Sequence, residues 1–163
     1  MTRNSGSDSA SETKSVILYN TVVGNESLKD NTTGSYNTVI GMQTLQENIS
    51  GNYNTATGMN ALHNNTSGSR NTATGLNALY ENTTGDYNTA IGADALKNNT
   101  QGVYNTAMGY EAGDVITTGS NNTIIGYQAD PSANNASNQI VIGKGATGQG
   151  DNYAVIGNAD VTR

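Results

Sequence analysis

Nucleophile-and-base chemistry needs a side chain that can take a proton while held against its partner. The chain has one histidine, His63, and it recurs in no pattern. Seventeen-residue steps from it land on Lys29, Gln46, Tyr80 and Lys97. A place that accepts all of these reads as an exposed variable position, so no catalytic residue is expected. Oxygen-bearing side chains form a second series, Glu26, Gln43, Asn60, Asn77, Asp94, Glu111 and Gln128. Clustered oxygens suit calcium, but the Gly-Gly-x-Gly-x-Asp repeats of calcium-binding rolls are absent. The series reads as a solvated edge, with no metal expected. No glycine run followed by Lys and Ser/Thr is present to cradle a phosphate, and no cofactor is expected.

Two further series could act on a ligand. Tyr19, Tyr36, Tyr53, Tyr87 and Tyr104, with Arg70 and Asn121 as exceptions, could stack on sugar rings of a surface glycan. A phenol beside a turn more often packs its ring on neighbours and keeps its hydroxyl wet, which is the preferred reading. Thr21, Thr38, Thr55, Thr72, Thr89, Thr106 and Thr123 are evenly spaced, as an ice-binding surface would need. The same strand carries Thr-x-Thr only at Thr55/Thr57 and Thr72/Thr74. Elsewhere the partner is Val, Ile or Met, which points to burial. Triplets such as Asn31-Thr32-Thr33 and Asn82-Thr83-Thr84 match a glycosylation signal but follow from repeat composition.

What must position these series is itself periodic. Gly24, Gly41, Gly58, Gly75, Gly92, Gly109, Gly126 and Gly143 fall every 17 residues, and the last such block, at Gly157, follows after 14. A fixed period of this kind marks a repeat architecture, each unit covered by its neighbours. Each unit has a short β-prone stretch, as in Asn37-Thr38, Asn54-Thr55, Asn71-Thr72, Asn88-Thr89 and Asn105-Thr106. A second glycine (Gly34, Gly51, Gly68, Gly85, Gly102, Gly119) closes the unit, so two corners per coil are expected. Seventeen residues with two glycines leave no room for a helical pair, and no Asn-Gly or Asp-Gly marks a hairpin. Parallel stacking remains: all-β, a β-solenoid or β-roll. Its Thr and Asn would form ladders about 4.8 Å apart, the Asn amides bonding along the axis. By strand alternation, Asn and the Val or Ala before the last strand residue share one face, Thr and that last residue the other. Neither face is wholly polar, so the strand is expected to lie between its own coil and neighbouring chains.

Composition agrees. Of 163 residues 34% are hydrophobic, with no Phe or Trp, so burial must come from stacking and from sharing cores between chains. Net charge is −6, against nucleic acid, whose phosphates demand clustered Lys and Arg. No cysteine is present for disulfides or thiolate sites, and no apolar run could span a bilayer, so no direct membrane insertion is expected. Neither end carries an export or anchoring device, and the chain reads as part of something longer. Residues 1–17 read as a flexible polar leader, 18–131 as regular 17-residue coils, and 132–163 as irregular terminal coils leading to a neck or following fibre domain. From Tyr110 to Pro131 the repeat is disturbed: Gly113 replaces the usual Leu and Asp130-Pro131 is inserted. A local recognition feature, if present, is expected there or in Ser132 to Ser137, though a cap or transition is the plainer reading.

The blocks Tyr36-Asn37-Thr38-Val39-Ile40-Gly41, Tyr87-Asn88-Thr89-Ala90-Ile91-Gly92 and Tyr104-Asn105-Thr106-Ala107-Met108-Gly109 resemble head repeats of YadA-like trimeric autotransporter adhesins and of phage-type tail fibres. The likeness covers roughly Tyr19 to Asn158, with a period longer than the adhesin heads use. It implies a left-handed parallel β-roll, three chains around one axis, an intertwined or side-by-side homotrimer. It further implies an extracellular fibre, on a bacterial cell surface or a phage-like particle, whose partners are two further copies of itself and a cell-surface receptor or glycan. The receptor-binding residues are not readable. An ice-binding solenoid using Thr ladders is the alternative; a polysaccharide-acting fibre enzyme would need an acidic pair in a groove between chains.

Overall fold

The computed structural model describes residues 18–158, and the polar leader expected over residues 1–17 lies outside them. Nine three-residue strands follow in order: β1 (Thr21–Val23), β2 (Thr38–Ile40), β3 (Thr55–Thr57), β4 (Thr72–Thr74), β5 (Thr89–Ile91), β6 (Thr106–Met108), β7 (Thr123–Ile125), β8 (Ile140–Ile142) and β9 (Ala154–Ile156). They form one sheet in chain order, every neighbour parallel. Thr21 pairs with Thr38, Thr38 with Thr55, and so to Thr123, so equivalent residues stand in columns. The described residues contain no helix. The protein is a parallel β-solenoid of about eight coils, and eight strand steps make it about 38 Å tall.

Three devices turn the chain after each strand. The glycine ending the strand holds φ near +137° at Gly41, Gly75 and Gly109, a region L side chains rarely enter. A Cβ on Gly75 would also sit 2.5 Å from the Gly92 carbonyl oxygen one coil up. The second corner glycine needs space alone: Gly68 has no positive φ, but a Cβ there would lie 2.5 Å from the Gly85 oxygen and 2.6 Å from Asn82 Nδ2. The remaining bends come from non-glycine residues in left-handed conformation, in the columns of Tyr36, Gln43 and Leu45 (φ 61°, 53° and 52°).

The core is thin. The middle strand residues Val39, Ala56, Ala73, Ala90, Ala107, Ile124 and Val141 point inward against Leu45, Leu62, Leu79 and Leu96, and all are buried. Small residues dominate because the two walls of the coil are close, and two columns of buried asparagine supply what apolar packing cannot. In the first, Asn54 Oδ1 accepts the Asn71 backbone N–H at 2.9 Å, while Asn54 Nδ2 donates to the Gly68 carbonyl at 2.9 Å. The amide thus joins its own corner to the coil above, and the pattern runs from Asn20 to Asn122. In the second, Nδ2 of Asn65 donates to Asn48 Oδ1 at 2.8 Å and to the Gly68 carbonyl at 3.0 Å. Asn82 and Asn99 repeat it. Apart from Asn99 Oδ1, the buried amide atoms of these two ladders are paired, as a low-dielectric interior demands.

The second ladder stops at Asn99. One coil on, its column holds Ile116, which has no donor, and Asn99 Oδ1 is left buried without a partner. Ile116 fills the space that Gly113 vacates in the leucine column; a Cβ on Gly113 would meet Leu96 Cδ2 at 3.2 Å and Ile116 Cδ1 at 3.4 Å. The irregularity read between Tyr110 and Pro131 is therefore an exchange of core volume between two columns. Strand register passes through it unbroken, from β6 to β7 to β8.

Candidate functional site

The residues singled out by sequence fall into separate columns of the solenoid. His63 lies half-buried on the flank, not fully exposed, its ring stacked on Tyr80 with centroids 5.1 Å apart. Its Nδ1 contacts Asn64 Oδ1, whose Nδ2 in turn donates to Glu81 at 2.7 Å. These groups pack along the axis and hold no nucleophile against the ring.

The acid-and-amide column is a hydrogen-bonded ladder. Gln43 Nε2 donates to Glu26 at 3.1 Å, Asn77 Nδ2 to Asp94 at 3.1 Å, and Gln128 Nε2 to Glu111 at 2.7 Å. Amides separate Glu26 from Asp94, but Asp94 and Glu111 stand one rung apart, a like-charge neighbour pair that Lys97 partly offsets. Lys97 stands 3.1 Å from Asp94 and Lys29 3.6 Å from Glu26. Among the described residues no group of three His, Cys, Asp or Glu side chains could hold a metal.

Titration is displaced near the disturbed coils. Asp130 occupies the column that leucine fills elsewhere; burial, then the negative charge of Asp114, pushes its carboxyl up to about 6. Its Oδ1 is buried without a hydrogen-bond partner. Asp114 is raised too, first by burial and then by Glu111 and Asp94, with Lys97 opposing. Tyr110 is raised by its hydrogen bond to Glu111. Both Asp130 and Asp114 thus hold their protons to higher pH than an ordinary aspartate. A shallow depression over the last coils is lined by Gly145, Thr147, Gln149 and Val155, none of which can donate or accept a proton in catalysis.

The tyrosine column forms a continuous stack. Tyr19, Tyr36 and Tyr53 lie 5.0 and 4.9 Å apart, and Tyr87 and Tyr104 4.9 Å. The Arg70 guanidinium bridges the gap, 5.5 Å from the Tyr53 ring and 5.2 Å from Tyr87, with Nη1 donating to Tyr87 Oη at 2.9 Å. Ring faces are spent on one another, so a sugar cannot stack on them along the column; edges and hydroxyls face solvent. Tyr36, Tyr53, Arg70, Tyr87 and Tyr104 adopt the left-handed conformation, which costs an aromatic about 1 kcal/mol or more. Asn121, Asn138 and Asn152, better suited to it, take over in the last coils. No match was found among protein-family models, curated proteins or solved structures.

The sheet's outward face completes the surface. Thr38 and Ile40 flank buried Val39 on β2, and Ile40, Ile91 and Met108 are each about two-fifths exposed (43%, 39% and 40%). Within the single chain these apolar residues are not buried, contrary to what their bulk suggests. The Thr21-to-Thr123 hydroxyls donate to no protein acceptor among the described residues, unlike Thr66, Thr83 and Thr100 at the far corner, which donate to the next coil's carbonyls at 3.0 Å. No helix of the described residues is long and apolar enough to cross a membrane.

Proposed function

We propose that the chain is the structural and adhesive segment of an extracellular homotrimeric fibre, of the bacterial surface adhesin or phage-like tail-fibre kind, wound as a left-handed β-roll. It displays or forms a host-binding surface for a receptor or glycan, on a cell surface or a phage-like particle, and has no catalytic role. One observation carries the reading: the last residue of each strand stands in register on the outward face, apolar in β1, β2 and β5 to β9 and threonine at Thr57 and Thr74, with Val23, Ile40, Ile91 and Met108 exposed. Monomeric soluble proteins rarely leave such a surface uncovered. Two further copies with the same strand spacing meet it rung for rung, and three chains presenting one recognition surface bind with avidity. The block resemblance from Tyr36 to Gly109 supports the same assignment. Sedimentation at micromolar concentration tests it: a stable trimer is expected, and a monodisperse monomer would overturn it.

The free threonine hydroxyls favour one other reading, an ice-binding solenoid. In it the column of seven hydroxyls stays open to water, and the purified chain gives thermal hysteresis. Under the fibre reading the face is covered and hysteresis is absent.

A further inference from the structure

Every carboxylate in coils β1 to β8 lies outside seven consecutive columns, those running from the tyrosine before each strand to the residue after its glycine. The segments 19–25, 36–42, 53–59, 70–76, 87–93, 104–110, 121–127 and 138–144 contain no Asp or Glu, in a chain of net charge −6, and only Arg70 and Lys144 carry charge. Such a stripe, holding seven Tyr and three Met and free of acids, has the composition of an interface centre. Its two flanks differ. One is the tyrosine column; the other holds Met42, Met59, Leu76, Ala93, Tyr110 and Tyr127, most of them exposed.

We infer that the two flanks meet across copies: the tyrosine column of one protomer packs on the methionine column of the next, closing a ring of three around the sheet faces. The inference rests on the fibre reading. A rotation about an axis parallel to the stack leaves height unchanged, so each coil meets the same coil of its neighbour. Tyr36 then faces Met42 of the next copy and Tyr53 faces Met59, the sulfur-on-aromatic contact that favours Met beside a ring. Where the tyrosine column gives way to Asn121, the opposite flank of that coil has gained an aromatic, Tyr127, stacked on Tyr110 at 5.4 Å. Every coil from β2 to β7 thus keeps at least one bulky side chain in the pair. Such a contact is heterologous and closes after three steps. It also gives the strained tyrosine conformation a return that intrachain stacking alone does not require.

The chain has no cysteine, so introduced thiols are the only ones present. Tyr36→Cys and Met42→Cys are placed on separate chains, refolded together, and treated with a short bismaleimide. A covalent dimer is expected in the mixture and not from either chain alone, and equally for Asn121→Cys with Tyr127→Cys. Tyr36→Cys with Tyr127→Cys, five coils apart or about 24 Å, should give none. A native trimer whose mixtures do not crosslink, or Tyr36→Cys linking to itself, overturns the flank pairing and leaves the fibre reading intact. A native monomer removes both.

Discussion

Replacing Asn65 by Ala tests whether the buried amide ladder holds the coils together. Asn65 donates to Asn48 Oδ1 (2.8 Å) and to the Gly68 carbonyl (3.0 Å), and accepts from Asn82 Nδ2 (2.8 Å). Three bonds at about 1 kcal/mol each are lost. Asn82 keeps Gly85 and Gly68 keeps Asn54, but Asn48 Oδ1 is left unpaired inside, at a further cost of about 1 kcal/mol or more. The expected loss is about 4 kcal/mol. Asn99→Ala is the internal control. It breaks two bonds, to Asn82 and Gly102, and also removes an oxygen that already lacks a partner. Its cost should be smaller, by about 2 kcal/mol. Urea unfolding at one fixed protein concentration, with unchanged m-values, reads the difference. Equal losses for the two variants, or a larger one for Asn99→Ala, would refute the account.

Other substitutions follow from the same geometry. Asp130→Asn should stabilise at neutral pH. The folded carboxyl holds its proton up to about pH 6 against an ordinary 3.8, so wild-type stability falls as pH rises through that window. Discounted for partial exposure, the effect is on the order of 1–2 kcal/mol at pH 7, and the variant's melting temperature should lose most of its slope between pH 4 and 6. Gly68→Ala forces a Cβ to 2.5 Å from the Gly85 oxygen, and a loss above about 3 kcal/mol is expected in thermal unfolding. Arg70→Ala opens a gap in the ring stack and should cost about 1 kcal/mol, read by the same melt, with little change in far-ultraviolet circular dichroism.

The glycine period, the parallel order and the threonine register were legible because each depends on residue types with few alternative uses. Gly75 and Gly68 exclude a Cβ, and a unit of 17 residues leaves neither helix nor hairpin room to form. The finer geometry was hidden by residues that do not announce their conformation. Tyr53, Gln43 and Leu62 hold positive φ, yet none is a residue one expects there; neighbouring coils impose it. Asn48, Asn65 and Asn82 read as turn residues or glycosylation signals, because burial of an asparagine depends on a partner one coil away. The exchange between Gly113 and Ile116 was invisible for a similar reason. It is a match of volumes across the coil, and the sequence displays the two residues only as separate departures. His63 sits on a flank where Tyr80 covers it, a contact that column variability alone could not reveal.

Because corner and strand recur on one count from β1 to β8, this stretch of the molecule grows in whole steps. A duplication of one complete unit inserts a floor whose ceiling and foundation already match, lengthening the rod by about 4.8 Å. A coil of another length has to absorb the difference in its turns, as the 14-residue step from β8 to β9 does while its strands stay in register, so reach is inherited as an integer number of floors.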